Sequence, residues 1–126
     1  MEETLRAALR TAFATSAGGR VDWGLRPQGA ALPALTLTLV SRVRDQTYAG
    51  RSRLVMSRVQ VDLWAASYAA AKTLARALVV ATDALGGPGK SFAAVLVDGE
   101  RDDVEADGPD PIHRTMIDLI IWHDEP

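Results

Sequence analysis

The sequence lacks cysteine, a strong charge of either sign and any long apolar run, and each absence excludes a class of protein. Without cysteine the chain forms no disulfide, has no thiolate nucleophile and lacks the commonest zinc ligand. No segment approaches the roughly 20 apolar residues that a membrane-spanning helix needs. The acidic start MEETLRAALR also lacks the basic and apolar regions of a signal peptide, so we expect a protein made in the cytoplasm.

Positive and negative charges nearly balance. The 126 residues include 14 Lys and Arg against 16 Asp and Glu, which gives a formal net charge of −2 at pH 7. Because there is no bulk positive field, no sequence-specific binding of nucleic acid is expected. A hydrophobic fraction of 48% with 24% charged residues is ordinary for a globular protein, and the length predicts one domain over residues 1–126.

Hydrophobic periodicity predicts two helices and five strands in the order α-β-β-β-α-β-β. In the clearest unit, Val59, Val61 and Leu63 alternate with polar residues as in a half-buried strand. Ser67 then stands where a helix N-cap belongs. The predicted helices are residues 2–15 and 67–85, and the predicted strands are residues 21–25, 34–44, 53–64, 91–97 and 113–123. This order predicts an α+β fold, with a mostly antiparallel sheet of four to five strands and two helices packed on one face.

Two charged segments are predicted to lie between strands. The polar link 45–52 joins two long strands, so it is predicted to form a hairpin. The predicted tip is charged and brings together Arg42, Arg44, Asp45, Arg51 and Arg53. The stretch 98–111 contains seven acidic residues and two prolines, which predicts a loop or a ragged sheet edge. Its carboxylates have two interpretations, a Ca²⁺ or Mg²⁺ site or a solvated surface that docks a basic partner.

Two motifs invite a catalytic interpretation. Gly89-Lys90-Ser91 resembles the end of a phosphate-binding loop, but it follows a predicted helix and precedes a strand, the reverse of the required order. A helix stop and turn is the alternative. His113 and His123 lie at the two ends of one predicted strand, about 33 Å apart at the rise of a strand, so they cannot share a metal within one subunit. No catalytic residue, bound metal or cofactor is therefore predicted.

The last predicted strand is apolar on both faces, and such a strand is usually covered on both faces. Its two faces consist of Ile117, Leu119 and Ile121 on one side and Met116, Ile120 and Trp122 on the other. In a protein this small, we expect a neighbouring subunit to provide the second cover. The candidate interface residues are Arg44, Tyr48, Arg51, Trp64, Val80, Asp102, Asp103, Ile120 and Trp122.

Five segments together resemble the phage tail-completion, or tail-terminator, family. They are ETLRAALRTAF, VDWGLRPQGAALPALTLTLVS, SRVQVDLWAASYAAAKTLARAL, ERDDVE and HRTMIDLIIWH, and they follow the order of the family over almost the whole chain. Members are small α/β proteins encoded among the head-tail connector and tail genes of tailed phages and phage-derived gene transfer agents. None of the five segments is a chemical motif, so the resemblance concerns fold and segment order.

The resemblance implies a structural virion protein and not an enzyme. Such a protein forms a ring, expected to be a hexamer, at the head-proximal end of the tail tube. There it stops tube polymerisation and joins the tail to the head connector, and DNA passes through the ring. The implied partners are other copies of the chain, the major tail tube protein and the head-tail connector or adaptor proteins, with no membrane.

The implied location is the head-tail junction of the virion, reached after assembly in the bacterial cytoplasm. A second interpretation is a head-closure or head-tail adaptor ring between portal and tail. A third is a small metal- or ligand-binding domain that uses the acidic stretch 98–110.

Overall fold

The computed structural model describes residues 1–24, 31–47, 50–105 and 110–124, with the backbone alone for residues 45–47 and 50–53. The elements are α1 (Glu2–Ala12), β1 (Val21–Trp23), β2 (Ala34–Thr47), β3 (Gly50–Ala65), α2 (Tyr68–Asp83), β4 (Ala94–Glu105) and β5 (Ile112–Asp124). This order of helices and strands confirms the prediction from the sequence.

The five strands form one sheet in the spatial order β1-β2-β3-β5-β4. The short strand β1 pairs parallel with β2, and all the other neighbours pair antiparallel, so the mostly antiparallel sheet is confirmed. The central strands β3 and β5 therefore contribute the middle of the core, and β4 lies at one edge of the sheet.

One face of the sheet is buried beneath the helices. Val59, Val61 and Leu63 of β3 are fully buried, as their alternation predicts. Leu5, Leu9 and Phe13 of the first helical segment and Ala71, Leu74 and Leu78 of α2 belong to the same hydrophobic cluster. Within the described ranges, neither helix is both long and apolar enough to cross a membrane.

Helix α2 begins as the sequence predicts. The Ser67 hydroxyl accepts a hydrogen bond from the Ala70 backbone N–H at 3.1 Å, which satisfies one of the donors that a helix N-terminus leaves unpaired. The opposite side of α2 is exposed and includes Val80, which is 69% exposed.

The structure corrects the predicted hairpin link. Strands β2 and β3 extend to Thr47 and from Gly50, so most of the segment 45–52 belongs to the ladder and not to a link. Of the two interface candidates in this region, Tyr48 lies outside the described residues, and Arg51 lies on β3 with its side chain outside them.

Of the two interpretations of the stretch 98–111, a loop or a ragged sheet edge, the structure supports the sheet edge as far as Glu105, and residues 106–109 lie outside the described residues. Strand β4 runs to Glu105, so Asp102 and Asp103 lie on a sheet strand and not in a loop. Asp102 pairs with Thr115 and Asp103 with Arg114 in the β4–β5 register. Charged residues and neighbouring prolines give this stretch a low strand propensity. Its extended conformation is therefore explained by its pairing with β5.

Candidate functional site

A serine and a histidine that the sequence did not connect lie side by side between β3 and β5. Ser57 Oγ is 2.8 Å from His123 Nε2, although the two residues are 66 positions apart. Ser57 is fully buried and His123 is 5% exposed. A substrate therefore has no path to this pair, and the pair has the character of a structural contact.

The Ser57–His123 contact belongs to a chain of polar groups that ties the β2–β3 hairpin to α1. Arg42 Nε donates to Ser57 Oγ at 2.9 Å, and the Arg42 guanidinium also pairs with the Glu2 carboxylate. Because Arg42 already donates to the serine, the serine proton is directed to His123 Nε2. This favours the neutral imidazole with its proton on Nδ1, which faces the Asp124 carbonyl at 3.3 Å.

Burial of His123 makes the stability of the fold depend on pH. Burial lowers the pKa of His123 below its ordinary value of 6.5. Below about pH 6.5, the His123 imidazole is therefore protonated to a greater extent in the unfolded chain than in the folded chain. The free energy of unfolding is therefore expected to fall as the pH drops from neutral to about 5.5. Urea unfolding at both pH values, followed by circular dichroism, measures this loss.

The matched variant for this prediction is His123→Gln, which keeps a neutral side chain beside Ser57. Its free energy of unfolding should change less over the same pH interval. The pKa values of Glu2 and Asp102 are also lowered, but from 4.5 and 3.8, so their contributions are lost only at lower pH. Equal pH dependence in the variant and the parent chain would contradict the assignment to His123.

Four of the five carboxylates of β4 contact cations from neighbouring elements. Lys72 Nζ of α2 lies 2.7 Å from both Glu100 Oε2 and Asp102 Oδ1. These two carboxylates raise the pKa of Lys72, and the ammonium lowers the pKa of Asp102. Asp103 pairs with the Arg114 guanidinium at 3.2 Å. In the described part of the chain, no three His, Asp or Glu side chains come together as a metal site requires.

The glycine-rich segment after α2 forms a turn. Phe92 N–H donates to the Leu85 carbonyl at 3.1 Å, and Gly87 N–H donates to the Phe92 carbonyl at 3.0 Å. The next element is strand β4. No helix N-terminus therefore faces Gly89-Lys90-Ser91, and the alternative interpretation of a helix stop and turn is the one the structure supports.

The outer face of the sheet, which the helices do not cover, has an apolar half. Trp122 pairs with Met56 and Ala94, and Ile120 pairs with Arg58 and Leu96. The candidate interface residues Ile120 and Trp122 are half-buried here. The cover that we expected from a neighbouring subunit stays a prediction.

The other half of the outer face is polar, and its side chains contact one another. Arg58 Nη1 donates to Asp98 Oδ2 at 2.7 Å, and Arg101 Nη1 donates to Asp118 Oδ2 at 2.9 Å. The interface candidate Trp64 is also engaged within the chain. Its indole N–H donates to Thr36 Oγ1 at 3.0 Å, and the Arg114 guanidinium lies 5.0 Å from its ring centroid. A partner could contact only the part of the Trp64 side chain that Thr36 and Arg114 leave exposed.

Large apolar side chains are exposed on three elements. They are Leu39, Val40 and Val43 on β2, Tyr68, Val79 and Val80 on α2, and Leu96, Val97 and Val104 on β4. A cleft of about 600 Å³ lies beside Val104, where α2 begins, and its apolar wall includes Tyr68 and Ala71. Of the remaining interface candidates, Arg44, Asp102 and Asp103 are exposed. The exposed apolar side chains are candidate contact surfaces, and the assignment of these residues to an interface stays a prediction.

Comparison with known proteins agrees with this description. No curated protein matches the chain. Among solved structures, a chain of the "Virion of native gene transfer agent (GTA) particle" has the same fold, with a TM-score of 0.67 and 16% sequence identity over 96% of this chain and 95% of that chain. The sequence profile of the family described as "Tail completion protein gp17" matches residues 3–124. This match over nearly the whole length shows that the chain belongs to the tail completion protein gp17 family and is a structural component of the phage tail.

Proposed function

We propose that the protein is a tail terminator, a ring at the head-proximal end of the tail tube that stops tube polymerisation and joins the tail to the head connector. The family match over residues 3–124 carries this proposal. The resemblance in the sequence implies six copies in the ring, and this number is part of the proposal. The role is structural, without a catalytic residue, a metal or a cofactor.

The distribution of exposed apolar surface supports a ring. A subunit within a ring needs two different surfaces for its two neighbours, and it needs further surface for the tube and the connector. The chain has exposed apolar side chains on β2, on β4 and on α2, which are three separate elements. Where such side chains form a contiguous patch, the patch marks a contact site.

The charge of the chain supports a passage for DNA without sequence-specific binding. With a net charge of −2 the subunit has no general attraction for the phosphate backbone. A ring of such subunits surrounds DNA without holding it. We therefore assign the partners as other copies of the chain, the major tail tube protein and the head-tail connector or adaptor proteins.

Deletion of the gene in the producing phage or gene transfer agent tests this function. We expect tail tubes of uncontrolled length and no tailed particles, because nothing ends the tube or joins it to the head. Cryo-electron microscopy of intact particles should then place a ring of this chain on the last ring of the tube. A position against the portal, with tubes of normal length in the deletion, would overturn the proposal in favour of a head-closure or adaptor role.

A further inference from the structure

We propose that two edges of the described sheet form the contact between neighbouring copies, with residues 38–44 of one copy (the β2 edge) against Ala94–Glu105 of the next (the β4 edge). This inference rests on the proposed ring. It names the surfaces of this chain that join one copy to the next, and both partners in the contact are copies of the same chain.

The first support is the position of the two edges. Strand β1 pairs with β2 only from Leu35 to Leu37, and Gly24 N–H closes this pairing on the Leu37 carbonyl at 2.8 Å. Past Leu37, no described residue pairs with β2 on that side. Strand β4 has β5 as its one neighbour in the described sheet. The two edges therefore lie at opposite ends of the sheet, as a head-to-tail contact that closes a ring requires.

The second support is the apolar surface of both edges. Leu39, Val40 and Val43 of the β2 edge are 40%, 53% and 55% exposed. Leu96, Val97 and Val104 of the β4 edge are 54%, 40% and 48% exposed. Each edge thus presents three large apolar side chains, and the cleft beside Val104 offers a recess for one of them. Burial of these side chains against each other would supply the attraction.

The third support is charge complementarity. The β2 edge contains two Arg and no acidic residue, whereas the β4 edge contains five acidic residues and one Arg, so their formal charges are +2 and −4. Lys72, Arg58 and Arg114 contact four of these carboxylates, and Glu105 forms no ion pair within the described residues. Two β4 edges repel each other, as do two β2 edges. The charges therefore disfavour two-fold dimers and favour the contact between unlike edges.

Irregularities in both strands define the kind of contact. The register of the β2–β3 pair is interrupted between Leu39 and Ser41, and that of the β4–β5 pair is interrupted between Val97 and Gly99. Such bulges interrupt the row of backbone donors and acceptors at an edge and discourage continuous strand pairing. We therefore assign the contact to side chains, apolar at the centre and charged at the rim.

Two charge reversals on the full chain test the inference. In Arg44→Glu the β2 edge becomes more acidic, and in Glu105→Lys the β4 edge becomes less acidic. Native mass spectrometry of each variant should show that assembly needs a protein concentration about tenfold higher or more, because each reversal weakens the attraction between the basic β2 edge and the acidic β4 edge.

A reversal on α2 provides a matched control. Asp83→Lys changes an exposed charge that belongs to neither edge, and it should leave assembly unchanged. Circular dichroism should show native folding for every variant. Assembly of Arg44→Glu or Glu105→Lys alone at the parental concentration would overturn this contact and leave the ring intact. A parent chain that stays monomeric, both in isolation and on isolated tail tubes, would overturn the proposed ring itself.

Discussion

The variant Leu119→Ala is expected to lose about 3 kcal/mol of its free energy of unfolding, because a truncated core leucine leaves a cavity as well as losing its transfer energy. Leu119 is fully buried on β5. Its register partners are Val59 of β3 and Val97 of β4, so its side chain lies near the middle of the helix-covered face. Urea unfolding monitored by far-ultraviolet circular dichroism measures the loss directly.

Ile120→Ala is the matched control, since it removes a side chain of the same size from the next position. Ile120 lies on the outer face and is half-buried, so its truncation should lower the free energy of unfolding by about 1 kcal/mol or less. Similar losses in Leu119→Ala and Ile120→Ala would show that both faces of β5 are packed within one copy. Such a result would contradict the two-layer arrangement and remove the apolar half of the outer face from the candidate interfaces.

The order of the helices and strands could be predicted because the apolar residues of each core element recur at the spacing of a strand or of a helix. Val59, Val61 and Leu63 alternate and are buried, and Ser67 caps the helix that follows. Local patterns of this kind depend on neighbours two to four positions away, so they can be detected in one sequence. The same reasoning detected the start of β4 but missed its end, because Val104 is the one apolar residue of this strand after Val97.

The acidic half of β4 is a strand because of residues distant in the sequence. Lys72 reaches Asp102 from a helix 30 positions earlier, and Arg114 reaches Asp103 from 11 positions later. No pattern of neighbouring residues in the sequence predicts these ion pairs. The contact between Ser57 and His123 was missed for the same reason, since the strand pairing that joins them spans 66 positions.

The candidate interface residues stay predictions, and the structure shows how differently they are placed. Val80 is the most exposed large apolar side chain described. Trp64 is engaged within the chain by its hydrogen bond to Thr36 and its contact with Arg114. The sequence gives the chemistry of a side chain, but its free surface depends on the tertiary neighbours.

Gly86→Ala is expected to lower the free energy of unfolding by about 3 kcal/mol, the upper end of the usual cost of overpacking, because the added atom meets rigid backbone. A Cβ atom at this position would lie 2.5 Å from Val95 N and 3.0 Å from Ala94 C, which are backbone atoms that cannot turn away. The turn after α2 would have to separate from the start of β4. Thermal unfolding followed by circular dichroism measures the expected loss.

Gly99→Ala is the matched control, because its added Cβ atom would meet nothing within 4 Å. It should leave the free energy of unfolding unchanged or raise it slightly, since alanine restricts the unfolded chain.

The pair of variants also separates two explanations of the glycine-rich segment. A phosphate-binding loop would depend on Gly89-Lys90-Ser91, whereas the structure assigns the strict requirement to Gly86, where α2 approaches β4. Because Gly86 holds the first residues of the β4 edge in place, Gly86→Ala should weaken assembly together with folding, and Gly99→Ala should leave folding intact. Equal stability of the two variants would contradict the close approach of the turn to β4.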